Sequence, residues 1–330
     1  MTPATLDSLL RSRRVEDRIR AVQLLVRHDT SAATSKQSLL LRALSDRSNY
    51  VAALAAEALA HLDGWRDEGD SLAEMVERFK YLMEDGLRRD PGCHIRAHLA
   101  FAFGRLEYGP AAGVLRGGIR TVQIEPVGGV PFDTGAHLRA NCALALAQIR
   151  APDALRDIAL LLFDIGTPSH SDLKYNAVEP RKAAAQALAR LRDAHALVPL
   201  AIRLTHPMGE SPEVLQECMQ AVVSLEDPRA VELLEPYLAH ADEHLAAFAA
   251  LMIAQTRAAQ APALLRGVIE RLSGQPLQAA VLALTVLRTP QADDVLNDLA
   301  KHPRQAVRLA ASEVLQEREA QRDAASQIVD

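Results

Sequence analysis

The chain repeats itself, and that constrains its fold more than any other feature. A twelve-residue segment with apolar or small side chains at its first, fifth, eighth, ninth and twelfth positions recurs along the 330 residues. Clear copies open at Val51 (VAALAAEALAHL), Ile95 (IRAHLAFAFGRL), Leu138 (LRANCALALAQI), Pro180, Val214, Leu245, Pro276 and Val307, and a weaker one opens at Ile19. Successive copies are offset by 32, 44, 43, 42, 34, 31, 31 and 31 residues. The apolar positions share one face of an α-helix. A second helical pattern precedes each copy, as in KQSLLLRALSD, PALLRGVIERLSG and ADDVLNDLAKHP, and several begin at Pro or just after Asp-Pro, as helix starts do. Two helices of about a dozen residues and two short turns fill the shortest offset, and such a pair cannot bury both apolar faces alone. Neighbouring pairs must therefore stack.

Composition says what the stack is made of. Hydrophobic residues make up 49% of the chain but aromatic ones only 4%, so Ala, Leu, Val and Ile fill the core, which suits closely packed helices. Cys142 and Cys218 both stand at the fifth, inward position of their copies and are expected as reduced core residues, while Cys93 falls in a turn. The stretches HIRAHLAFAFG, HLRANCALALA, AVRLAASEVLQ and EDPRA resemble HEAT repeats, specifically the short type found in phycobilisome-lyase-like proteins. Their pattern is Val-Arg-x-x-Ala-Ala-x-Ala-Leu-Gly followed by Asp-Pro-x-Ala, and the resemblance covers almost the whole chain. It implies an all-α fold: a right-handed α-solenoid of about nine HEAT-like helix pairs over residues 1–318. A C-terminal tail, 319–330, is expected to be disordered. The resemblance also implies that the second helix of each pair lines a concave surface. It further implies that the second-position arginines, Arg20, Arg96, Arg139, Arg181 and Arg308, link neighbouring pairs by polar contacts.

The long offsets fall consecutively, and they mark insertions at about 63–93, 118–136, 163–179 and 205–212. Extra residues in a regular array usually map to loops on one face, often a binding face. The first insertion predicts a lengthened helix from Ser71 to about Arg88. The second alternates Thr121, Val122, Gln123 and Ile124 before two Gly and two Pro, which predicts an ordered loop or short hairpin. Trp65, Phe132, Asp133, His170 and Tyr175 are the expected rim residues.

The histidines lie on the other face of the repeated helix. The residue just before each segment and its fourth, seventh and eleventh residues point away from the inward stripe. On the second copy these include Glu57 and His61; on the third, His94, His98, Phe101 and Arg105; on the fourth, His137, Asn141, Leu144 and Gln148. They are the candidate partner-binding groove, with Phe101 as apolar anchor and Arg105 as charge partner; on the fifth copy the stripe continues to Arg190. His94 and His98, like Glu57 and His61, are four apart, a spacing that suits metal ligands on one helix face. Deoxyhypusine hydroxylase, in the resembled family, builds a di-iron site from His-Glu pairs, and this sequence contains no His-Glu dipeptide. No metal and no cofactor are therefore expected, and the histidines are read as polar groove residues.

Net charge is −5, which disfavours a nucleic-acid partner. Charge is uneven, however. Six arginines against Asp90 and Glu107 lie between Gly86 and Arg120, and nine acids against Arg229 alone between Pro207 and Glu243; such an array could orient a charged partner. No apolar run is long enough to span a bilayer, and the charged N-terminal stretch lacks a signal core, so a cytoplasmic location is expected. No nucleophile elbow, P-loop or zincin motif is present. The expected function is thus a non-enzymatic scaffold or adaptor holding a protein or peptide partner. The alternatives are a phycobilin-lyase-like or other HEAT-type enzyme or chaperone, and a nucleic-acid-binding relative of the alkylpurine DNA glycosylases.

Overall fold

Each copy of the repeated segment forms one α-helix, packed on the helix before it. The computed structural model describes residues 3–27, 33–65, 70–164 and 178–326, in two compact units, Met1–Leu191 and Arg192–Asp330. In the first unit, α1 (Pro3–Leu10) pairs with α2 (Val15–Arg27), and α3 (Ala33–Leu44) with α4 (Asn49–Ala60). Next, α5 (Ser71–Glu84), followed by the short α6 (Gly86–Arg89), pairs with α7 (His94–Arg105). Then α8 (Ala112–Gly118) pairs with α9 (Ala136–Gln148), and α10 (Ala154–Leu162) with α11 (Val178–Leu191). In the second unit the pairs are α12 (Leu197–Thr205) with α13 (Pro212–Ser224), and α14 (Ala230–Leu234) with α15 (Glu243–Thr256). They continue with α16 (Ala261–Ile269) and α17 (Gly274–Leu287), and with α18 (Pro290–Leu299) and α19 (Gln305–Ser326). The described residues thus form an all-α array of nine helix pairs. The second helices stack in order within each unit: α2, α4, α7, α9, α11, and then α13, α15, α17, α19.

The stacking buries more of each second helix than its apolar stripe alone would. The sixth-position alanines Ala56, Ala100, Ala143 and Ala185 are fully buried, and Arg96, Arg139 and Arg181 at the second position are buried as well. A helix with a neighbour on each side and a partner behind has only one narrow stripe left for solvent. Small side chains on the flanks let the neighbours approach.

Three buried arginines in the first unit each tie their own pair to the next. Arg18 on α2 binds Asp46 in the turn before α4 through Nε (2.7 Å) and Nη2 (3.1 Å). Arg96 donates to the Asp90 carboxylate (2.9 Å) and to Oε1 of Gln123 (2.7 Å). Arg139 meets Asp133 at 2.7 Å and Asp164 at 3.1 Å. The weak first copy is framed two residues too late by its apolar pattern: Arg20 is exposed, and Arg18 takes the buried position. Arg181 and Arg308 donate to carbonyls of their own pairs, those of Asp164 (2.6 Å) and His302 (2.7 Å).

The expected helix from Ser71 to about Arg88 breaks at Asp85. Asp85 takes φ −149° and ψ 71°, outside the helical range, and Gly86 then lies against the Arg96–Gln123 contact, where a Cβ would stand 2.4 Å from Gln123 Oε1. The second insertion forms an antiparallel hairpin of β1 (Ile124–Val127) and β2 (Val130–Asp133). Gly128 and Gly129 take φ of 61° and 85° in its turn, a conformation two-residue hairpin loops require. At the C-terminal end, α19 runs past residue 318 to Ser326 through a stretch without Gly or Pro, and Arg318 pairs with Asp293 of α18 at 2.6 Å.

Candidate ligand groove

The exposed stripe of the second helices forms a groove in the first unit. A cleft of about 320 Å³ opens across α7, α9 and α11, lined by Phe101, Gly104, Arg105, Asn141, Leu144, Ala145, Gln148 and Arg190. Gly104 makes its floor. A Cβ at this position would stand 2.9 Å from Ala145 Cα, so α7 and α9 meet backbone to backbone there. Phe101, 38% exposed, forms one wall.

A second cleft of about 390 Å³ lies between α2 and α4, where Val22, Val26, Leu54 and Ala58 give it an almost wholly apolar lining. Glu57 and His61 stand at its edge. The His61 ring lies 5.1 Å from that of Phe101, and this contact joins the two clefts. His94 and His137 are exposed and His98 is half-buried. Burial pushes the His98 imidazole below its ordinary pKa, the charges of His94 and His61 act in the same direction, and Glu57 opposes them. His98 is therefore a neutral donor–acceptor near pH 7. Among the described residues no three His, Cys, Asp or Glu side chains converge to hold a metal ion.

Three of the expected groove residues are partly committed to the scaffold. Arg105 Nη2 donates to the Leu62 carbonyl at 2.6 Å, closing the C-terminal end of α4. Asn141 Nδ2 donates to the Ala97 carbonyl of α7 at 2.9 Å, and Gln148 reaches Glu107 at 3.4 Å. Arg105 is exposed and lines the cleft while this one bond to a neutral carbonyl fixes its orientation. Arg190, exposed on α11, is the guanidinium better placed to meet a ligand.

The rim divides similarly. Phe132 is exposed on β2, beside exposed Val122, Ile124, Val127 and Val130. Asp133, expected on the rim, is instead 3% exposed, bound by Arg139 and accepting from the amides of Gln123 and Gly135. Strand alternation turns it inward where Phe132 turns out. Asp133→Asn is expected to leave ligand binding at the groove unchanged and to lower stability by about 2–3 kcal/mol, because it removes one of the two carboxylates facing the buried Arg139, measured by denaturant unfolding. Trp65 is half-buried, and His170 and Tyr175 lie outside the described residues. The hairpin is fastened beside the groove. The Glu125 carboxylate accepts from Gly92 N, in the turn that opens α7, at 2.8 Å and from the Thr134 hydroxyl just after β2. Although burial opposes it, these bonds hold Glu125 below the usual carboxylate pKa.

Sequence reasoning missed the apolar floor at Val22, Val26 and Ala58, and the role of Gly104. The signal for Gly104 was present: a glycine in FAFGRL where the next copy has alanine, in ALALAQI.

No protein-family model and no curated protein matches this sequence. Solved structures do match. A mutant of Kap121p shares 13% identity with a TM-score of 0.52, over 94% of this chain and 37% of that one. An engineered protein shares 17% identity at 0.45, over 96% and 88% of the two chains. Human deoxyhypusine hydroxylase in complex with glycerol shares 15% identity at 0.33, over 86% and 96%. Of these three, the first alone exceeds 0.5, and at such identity the likeness is one of fold: a HEAT-type array of helix pairs. Among the described residues no helix is long and apolar enough to cross a membrane.

Proposed function

We propose that this protein is a non-enzymatic interaction scaffold that holds a protein or peptide partner in the groove of its first unit. What supports the reading is the continuous strip running from the apolar α2–α4 cleft, through the His61–Phe101 contact, to the cleft at Leu144 and Arg190. Apolar pockets beside a few polar groups suit anchoring side chains, and aromatic and arginine residues supply most of the affinity at such sites. In this reading Phe101 and Leu144 anchor apolar side chains, Arg190 meets a polar or acidic group, and the hairpin carrying Phe132 borders the partner.

Selection of a displayed peptide library on the wild-type protein tests this. Selected peptides are expected to lose roughly tenfold or more in affinity on a Phe101→Ala, Leu144→Ala double variant, while its thermal midpoint stays nearly unchanged, because both side chains stand in the groove. Peptides that bind the double variant equally well would place the binding surface elsewhere. Failure to select any peptide would count against the groove altogether.

A further inference from the structure

A third cleft shares no residue with the groove and has a different chemistry. It encloses about 450 Å³ between the turn before α4 and the end of α5, and Arg47, Arg78, Arg88 and Arg89 line it together with Tyr81 and Asp85. Most carboxylates near these guanidinium groups are already taken. Asp46 is held by Arg18 and accepts from Ser48 N at 2.8 Å, and Glu84 pairs with Arg89 at 2.6 Å. Among the described residues Asp85 is the one lining carboxylate without such a partner.

Arg47 and Arg78 are poorly matched within the protein, whereas Arg89 has Glu84. Arg47 donates to a neutral carbonyl, that of Arg13, at 2.8 Å. Arg78 lies over the Tyr81 ring at 5.1 Å, and its Nε is buried with no hydrogen-bond partner. Burial pushes the Arg78 pKa down, as expected of a cation lacking an adequate counter-charge. Arg89 packs over the same ring at 3.9 Å. A second, independent feature faces the same way. Ser48 gives the twelve-residue α4 no side-chain cap, and Asn49, its first residue, lines the cleft, so beside the Asp46 carboxylate on the Ser48 amide the positive end of the α4 dipole adds to the field there.

We propose that this cleft binds a small phosphate-bearing ligand of about mononucleotide size. With Arg89 paired to Glu84, Arg47, Arg78 and Arg88 still leave an excess that Asp85 alone does not neutralise, whereas a phosphate ester brings more charge and several acceptor oxygens for planar N–H forks. The volume of this open cleft is at the scale of a small-molecule site rather than of an extended chain.

Isothermal titration at about 0.15 M salt tests it with four probes: ATP, pyrophosphate, a phosphoserine peptide and a glutamate-rich peptide without phosphate. Saturable binding of ATP or pyrophosphate is expected with Kd below about 1 mM. Arg78→Gln is expected to weaken it roughly tenfold or more. Arg88→Gln should do the same in an exposed residue, and it carries the test should Arg78→Gln fail to fold. The Phe101→Ala, Leu144→Ala variant should bind the phosphate probes as wild type does, which separates this site from the groove. The proposal is overturned by no saturable binding of either small phosphate, by equal affinity in a folded arginine variant, by the glutamate peptide binding as tightly as pyrophosphate, or by binding of the phosphopeptide alone.

Discussion

Asp90→Ala is expected to lower the stability of the first unit by about 3–5 kcal/mol, read as a shift in the denaturant midpoint. The Arg96 and Asp90 side chains are 2% and 1% exposed. Asp90 accepts from the amides of Ile95 (2.9 Å) and Arg96 (3.1 Å) as well as from Arg96 Nε (2.9 Å). Truncation would remove the carboxylate that satisfies the start of α7 and strand a buried guanidinium with Gln123 and the sulfur of Cys93 as its near partners. The combination Asp90→Ala with Arg96→Met should recover part of the loss, because a vacated pair costs less than a broken one. A loss under about 1 kcal/mol for Asp90→Ala would mean that water reaches Arg96 and that the pair is not a buried link.

Gly104→Val should cost about 3 kcal/mol, the upper end of overpacking effects, and should also abolish peptide binding in the groove. The first added carbon would meet Ala145 Cα at 2.9 Å. Backbone does not yield as a flexible side-chain tip does, so α7 and α9 must separate. That separation would move Phe101 away from Leu144 and strain the bond from Asn141 to Ala97. Ala145→Gly in the same chain should restore part of both losses by returning space at the contact. Unchanged stability for Gly104→Val would show that the two helices slide past each other freely and that the floor of the cleft is not built by this contact.

The helical period is a local property, and it was enough to place Ile95, Leu99 and Phe103 inward and His94, Phe101 and Leu144 on the open stripe. The repeat likewise located the nine second helices, because side-chain direction follows from position on a helix whatever the chain does elsewhere. Polar partnerships did not yield to the same reasoning. Arg105 finds its acceptor 43 residues back at Leu62, and Asn141 finds its own 44 residues back at Ala97. In the sequence, Phe132 and Asp133 are adjacent and equally eligible for the rim, and Arg18 and Arg20 are equally eligible for the link to the next pair.

The all-α repeat, the identity of its stacked helices and the stripe each one leaves open can be read from the chain alone. Those follow from periodic burial of apolar side chains, which the chain encodes residue by residue. Tertiary packing alone settles which polar residues on that stripe bond to the scaffold, and where arginines from the turn before α4, from α5 and from α6 come together. A hydrogen bond or ion pair depends on ångström-scale approach between segments distant in the chain. That approach is set by how closely neighbouring helices pack, down to the single missing Cβ of Gly104.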